Sequence, residues 1–174
     1  LRALGCRVIT ISGFDSIDGV RRSVRQIATA VAEESKGEKM IEDMDRILRS
    51  SSRNRQIDGK KSRVLFSGPG FYSQGNGTII NDLIVRAGGI NAASERLNGI
   101  GRLSPEEWLA TRPDVLLRTS YSPVDPKILR LYQALPGRPP PKEIVMPFRL
   151  LTSVSPSSAL AIHILAKKLR MNQQ

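Results

Sequence analysis

One cysteine, Cys6, and one histidine, His163, are all the thiol and imidazole in 174 residues. A lone cysteine excludes an internal disulfide framework, and the two together are too few for a His/Cys zinc cage. Any Ser-His-Asp or Cys-His chemistry would rest on His163 alone. That residue falls between Ile162 and Ile164 in a helical pattern, the place of a packed or surface side chain. Long apolar runs are missing as well: none approaches the ~18–20 residues that cross a bilayer. Blocks of like charge are absent, although Lys plus Arg is 27 against 16 for Asp plus Glu, a net charge of +11. Without basic stripes and interleaved aromatics, the excess reads as solvated surface and not as a nucleic-acid footprint. The opening residues, Leu1 to Cys6, have neither an initiator Met nor a signal-peptide pattern. They read as a chain in progress, so the expectation is a fragment of a longer protein.

What is present is ordinary globular material, 40% hydrophobic and 25% charged. Cys6 to Ile11 reads as a strand with a structural thiol. Asp15 or Ser16 then offers a side-chain oxygen to cap a helix, and Ile17, Val20, Val24, Ile27 and Val31 recur at helical spacing. Gly37 is expected to mark a break. Met40, Ile41, Met44, Ile47 and Leu48 continue the period in a long helix ending near Ser50, and the polar residues after it read as loop or frayed helix end.

Beyond residue 62 the pattern is cleaner. Arg63 to Ser67, Asp114 to Arg118 and Glu143 to Pro147 are short apolar runs that alternate with amphipathic stretches. Gly88-Gly89 ends one such helix as a left-handed cap would. Ser104-Pro105-Glu106-Glu107 opens the next, with Ser as N-cap and Pro at the first helical position. Asp125-Pro126 and Ser155-Pro156 start two more. Strands of continuous apolar character between helices predict an α/β fold: a Rossmann-like parallel sheet lobe with helices on both faces, preceded by the long helix.

Ligands of such sheets lie beyond the carboxyl ends of the strands. The segments leaving those ends are 68–77, 119–123 and 148–153. Of eight aromatic residues in the chain, Phe71, Tyr72, Tyr121 and Phe148 lie there, with Arg118 and Arg149 at the same ends. Such a rim suits a flat or aromatic anionic ligand. The glycine-rich stretch Gly68-Pro69-Gly70-Phe71-Tyr72-Ser73 misses the dinucleotide spacing, since its third glycine would fall at Ser73. It also lacks a P-loop lysine. No acid/base pair stands out, so no catalytic residue is assigned.

Two phrases carry a family resemblance: Ile80-Asn81-Asp82-Leu83-Ile84-Val85-Arg86-Ala87-Gly88-Gly89-Ile90-Asn91, and Leu103-Ser104-Pro105-Glu106-Glu107-Trp108 running on to Arg112-Pro113-Asp114-Val115. In this order and separation they resemble the helical-backbone substrate-binding proteins of ABC importers, which serve ferric siderophores, cobalamin and haem. The resemblance implies two α/β lobes joined by a rigid helix, with the first lobe largely missing here. Residues 1–36 would be the end of the N-terminal lobe, 37–56 the backbone helix and 57–174 the C-terminal lobe. It implies a non-enzyme in the periplasm, or lipid-anchored outside the cytoplasmic membrane, with no cofactor and no resident metal. Glu106 would be the residue that pairs with arginines of the membrane permease. The ligand would be a metal chelate: a ferric siderophore first, a corrinoid or haem otherwise, with Tyr72 or Tyr121 able to reach haem iron. Tyr72, Ser73, Arg118, Tyr121, Phe148 and Arg149 are its candidate contacts from their place at the strand ends. The alternative is a nucleotide- or phosphate-binding α/β domain of an enzyme, using residues 68–77.

Overall fold

Ser16 starts the first helix: its hydroxyl accepts from the Gly19 N–H at 3.1 Å, satisfying one orphan donor of α1 (Ile17–Ala30). The computed structural model describes residues 8–53, 60–135 and 139–172. After α1 the chain reverses at Ala32, which takes a left-handed φ of 55°, and α2 (Glu34–Arg53) follows. The break is therefore at Ala32 and not at Gly37, which lies in the first turn of α2. A Cβ on Gly37 would stand 2.5 Å from the Ala28 Cβ, so the glycine lets the two helices approach. The strand expected over residues 8–11 does not form among the described residues. A strand needs a hydrogen-bonding neighbour, none pairs with this segment, and Val8 and Ile9 remain exposed. Cys6 and residues 54–59 lie outside the described residues.

Four parallel strands make the central sheet: β1 (Arg63–Phe66), β3 (Ile90–Asn91), β5 (Val115–Thr119) and β6 (Lys142–Met146), in the order β3-β1-β5-β6. Alternation along β1 and β5 sends side chains to two cores. Val64, Phe66, Val115 and Leu117 join α1, α2, α3 (Ile79–Arg86), α6 (Phe148–Thr152) and α7 (Ser158–Met171). Leu65 and Leu116 join the opposite cluster with α4 (Pro105–Ala110) and α5 (Pro126–Gln133). Both faces are covered, which is why these runs are apolar throughout. The edge strand β6 differs from that expectation: only Ile144 and Met146 are buried, and Lys142 and Glu143 keep its rim charged.

Two short strands, β2 (Tyr72–Gln74) and β4 (Ile100–Arg102), pair antiparallel in a separate ribbon that the sequence pattern does not announce. Each is three residues long among glycines, too short to show a period. The expected caps do form. The Gly89 N–H reaches Ile84 C=O at 3.0 Å and the Gly88 N–H reaches Val85 C=O at 3.0 Å, the paired bonds of a left-handed helix stop with φ 93° at Gly88. The last helix begins at Ser158, later than Ser155-Pro156 predicts. There the Ser158 hydroxyl donates to Ser153 C=O at 3.1 Å and holds residues 153–158 in a turn.

Asp82 of α3 ties α1 to the sheet lobe. Its carboxylate accepts the Ile17 N–H at 2.8 Å, an orphan donor at the start of α1, and the Arg86 Nε at 2.8 Å. Arg86 in turn reaches Asp18 at 2.9 Å, and Arg21 joins Asp18 to Asp45 of α2. Asp82→Ala removes a charge-assisted cap and leaves a half-buried N–H unpaired. The expected loss is about 1.5–3 kcal/mol, read as a lower urea midpoint with unchanged slope. A loss below about 0.5 kcal/mol, the scatter of ordinary surface substitutions, would mean that water replaces the carboxylate at Ile17.

Candidate functional site

Parallel pairing places the ends of β1, β5 and β6 at one edge, and the segments that leave them meet there. Ser67 N–H donates to Leu117 C=O at 2.8 Å and Ser120 N–H to Met146 C=O at 3.0 Å, so the three exits are locked in register. Just beyond, Tyr121 and Phe148 meet edge to face, with ring centroids 6.0 Å apart and planes at 72°. Tyr121 is 82% exposed and Phe148 46%, so this pair presents aromatic surface to solvent. Arg149, next on α6, is exposed and has no ion-pair partner among the described residues.

The other predicted contacts are held by partners of their own. Tyr72 sits on the β2–β4 ribbon under the Arg102 guanidinium, 5.0 Å from its ring centroid, a cation–π contact that holds its orientation. Arg118 donates from Nε to Glu143 at 2.8 Å and from Nη1 to Thr119 C=O at 3.3 Å, an engaged cation on the α4–α5 side of the sheet. Ser73 lies beside Tyr72 on the same strand. It is buried, and its hydroxyl donates to Phe66 C=O at 2.8 Å, which braces the ribbon on β1. The strand's alternation turns Ser73 inward while Tyr72 faces out. His163 is on α7 with Nδ1 3.1 Å from the Ser51 hydroxyl of α2, a helix–helix contact.

A cleft of about 330 Å³ opens beside α6, between the segment before α1 and the loops of the sheet lobe. Leu151, Thr152 and Val154 line one wall, Gly77 and Thr78 with Gly99 and Ile100 another, and Phe14 with Asp15 the third. Gly77 and Gly99 take φ of 69° and 86°, and a Cβ at either would meet nothing within 4 Å. Their left-handed turns, not close packing, select glycine. Phe14, Asp15 and Ile100 were missed by sequence reasoning. The available signal was an aromatic left outside the helical stripe of α1, and Phe14 and Ile100 are indeed 52% and 68% exposed.

Three backbone donors of the glycine-rich loop are spent inside the protein. Its Gly68 N–H bonds Tyr72 C=O at 2.9 Å, Gly75 N–H bonds Gly99 C=O at 2.9 Å, and Asn76 N–H bonds Leu97 C=O at 2.9 Å. Backbone donors so engaged cannot turn to a phosphate, and Thr78 caps α3 with its own hydroxyl. Among the described residues there is no group of three or more His, Cys, Asp and Glu placed to hold a metal ion. No helix among them is long and apolar enough to cross a membrane.

At the start of α4, Ser104 and Glu107 form a reciprocal cap: the Ser104 hydroxyl accepts the Glu107 N–H at 3.1 Å and the Glu107 carboxylate accepts the Ser104 N–H at 2.8 Å. Glu106 is exposed beside them. Its own backbone N–H and then the Ser104 hydroxyl hold its carboxyl below the usual carboxylate range.

The fold is a parallel sheet covered by helices on both faces, and comparison with known proteins shows the family. The family model described as periplasmic binding protein matches residues 2–134, and the chain belongs to that family. Among solved structures it is similar to the periplasmic heme-binding protein RhuT from Roseiflexus sp. RS-1 (22% identity, TM-score 0.74), over 91% of this chain and 65% of that one. It is also similar to the periplasmic vitamin B12 binding protein BtuF of Vibrio cholerae (16% identity, TM-score 0.80), over 99% and 68%. A third is the ABC-type Fe3+-hydroxamate transport system protein from Saccharomonospora viridis (16% identity, TM-score 0.71), over 96% and 63%. The chain thus spans about two thirds of the length of these structures. No curated protein sequence matches it.

Proposed function

We propose that the chain is the second lobe, with the connecting helices, of a receptor that delivers a ferric-siderophore-type metal chelate to an ABC permease. It would work in the periplasm or tethered outside the cytoplasmic membrane. The carrying observation is the edge-to-face pair of Tyr121 and Phe148 at the carboxyl edge of the sheet, followed along α6 by Arg149, which is exposed and has no ion-pair partner among the described residues. Aromatic faces cover the apolar body of a chelate, and a guanidinium bonds its anionic oxygens in pairs. The cleft beside α6 adds Asp15, an acceptor for ligand hydroxyl or amide donors. Haem and corrinoid, the cargo named for RhuT and BtuF, are the other chemistries such a rim admits. Binding of this kind needs no covalent step. Glu106, ionised and exposed, supplies an anion for a basic permease surface.

Calorimetric titration of the full two-lobed receptor tests the reading, with a ferric hydroxamate, haem, cyanocobalamin and ATP as probes. The ferric hydroxamate is expected to bind one to one with Kd on the order of a micromolar or tighter, equivalent to about 8 kcal/mol. Arg149→Ala should weaken it about tenfold, the loss of one charge-assisted pair. Tighter binding of haem or cyanocobalamin would replace the ligand class and keep the receptor. Binding of ATP alone would overturn both.

A further inference from the structure

The face of the sheet covered by α4 and α5 carries a groove that contains none of the residues of the Tyr121–Phe148–Arg149 group. Phe71, Pro105 and Leu131 wall it with apolar surface, Lys127 and Arg130 border it, and its volume is about 430 Å³. Lys127 and Arg130 are exposed, and at i and i+3 they share one side of α5. No ion pair engages either among the described residues. Asp125 of the same helix caps it by accepting the Lys127 N–H at 2.8 Å, and Glu107 on the Pro105 side accepts the Ser104 N–H at 2.8 Å. The walls are already set. Phe71 packs edge-on against Trp108 at 5.6 Å, and Pro105 is fixed by the reciprocal cap of Ser104 and Glu107. Pro105 also makes the groove continuous with Glu106, the next residue.

We infer that this groove is the basic half of the docking face that Glu106 begins, and that it receives an external segment of the permease bearing a carboxylate beside an apolar side chain. The inference rests on the permease reading of Glu106. An apolar side chain enters between Phe71 and Leu131, and its neighbouring carboxylate takes the two free cations. Glu106 meanwhile takes a permease cation. A face with both signs at fixed positions sets one docking register and repels a partner whose charges are reversed.

The test measures affinity of the full receptor for its permease, reconstituted in vesicles of phosphatidylcholine and phosphatidylglycerol. Lys127→Glu with Arg130→Glu is expected to weaken docking about tenfold at about 50 mM salt, and much less at about 500 mM where exposed charges are screened. Arg130→Gln alone should show a smaller loss of the same salt dependence. Lys167→Glu with Lys168→Glu makes the same charge change on α7, which packs against the opposite face of the sheet. That control should dock within about twofold of the natural receptor, because its charges lie more than a screening length from the groove. No loss in the α5 variant, an equal loss in the α7 variant, or a loss indifferent to salt would overturn the inference. So would a natural receptor that sediments as a dimer and becomes monomeric in the α5 variant, which would make the groove a self-contact. Glu106→Gln separates the two claims. If it weakens docking while the α5 variant does not, the groove assignment fails and the permease reading stands. If neither weakens it, both fail.

Discussion

Replacing Trp108 by alanine is expected to lower stability by about 3–5 kcal/mol, the cost of deleting a buried aromatic side chain. Trp108 is fully buried at the centre of the cluster formed by Leu65, Leu103, Leu116, Ile128 and Tyr132, with Phe71 edge-on at 5.6 Å. Its loss would open a cavity under both α4 and α5, and domains hold only about 5–15 kcal/mol in total. Trp108 is the chain's one tryptophan, so circular dichroism must follow unfolding in the variant. The indole N–H has no hydrogen-bond partner among the described residues. Trp108→Phe therefore removes an unsatisfied donor together with some volume, and should cost less than half as much as alanine. Equal losses for Phe and Ala would show that the indole nitrogen is hydrogen-bonded after all.

Glu106→Ala is expected to reduce uptake by cells carrying the full receptor at least tenfold while ligand affinity stays within about twofold. Interface charge pairs act on association and partner choice, and Glu106 is not among the candidate ligand contacts. The cap of α4 survives the substitution because Glu107, not Glu106, makes it. The sign of the pH dependence follows from the lowered pKa. Because backbone and Ser104 donors favour the ionised form, the charge is fully present above the usual carboxylate range and is lost only as pH falls through the lowered folded value. Docking through Glu106 should thus be constant between about pH 7 and 5. Normal uptake by the alanine variant would remove Glu106 from the interface. A titration near neutrality that vanishes in Glu106→Ala would contradict its lowered pKa.

Much of this was legible in the linear chain, because the relevant forces are local. Ser16, Thr78, Ser104 and Asp125 start helices by bonding N–H groups two or three residues on. Gly88-Gly89 ends one through conformational freedom at Gly88. The apolar runs of β1 and β5 and the stripes of α1 and α3 declare a sheet between helices by their periods alone. Together with the two motif phrases, these features led to the fold and the family. Tertiary structure decided the rest. The residues at 8–11 look like a strand but have no partner, and Gly37 looks like a break but admits a close neighbour. The partners of Ser73 and Arg118 are Phe66 and Glu143, seven and 25 residues away. Spacing cannot report such pairings, because a hydrogen bond is chosen by where the sheet brings two groups together and not by their separation along the chain. For the same reason the meeting of Tyr121 with Phe148, the inclusion of Phe14 and Asp15 in the cleft, and the groove beside Glu106 existed only once the strands were in register.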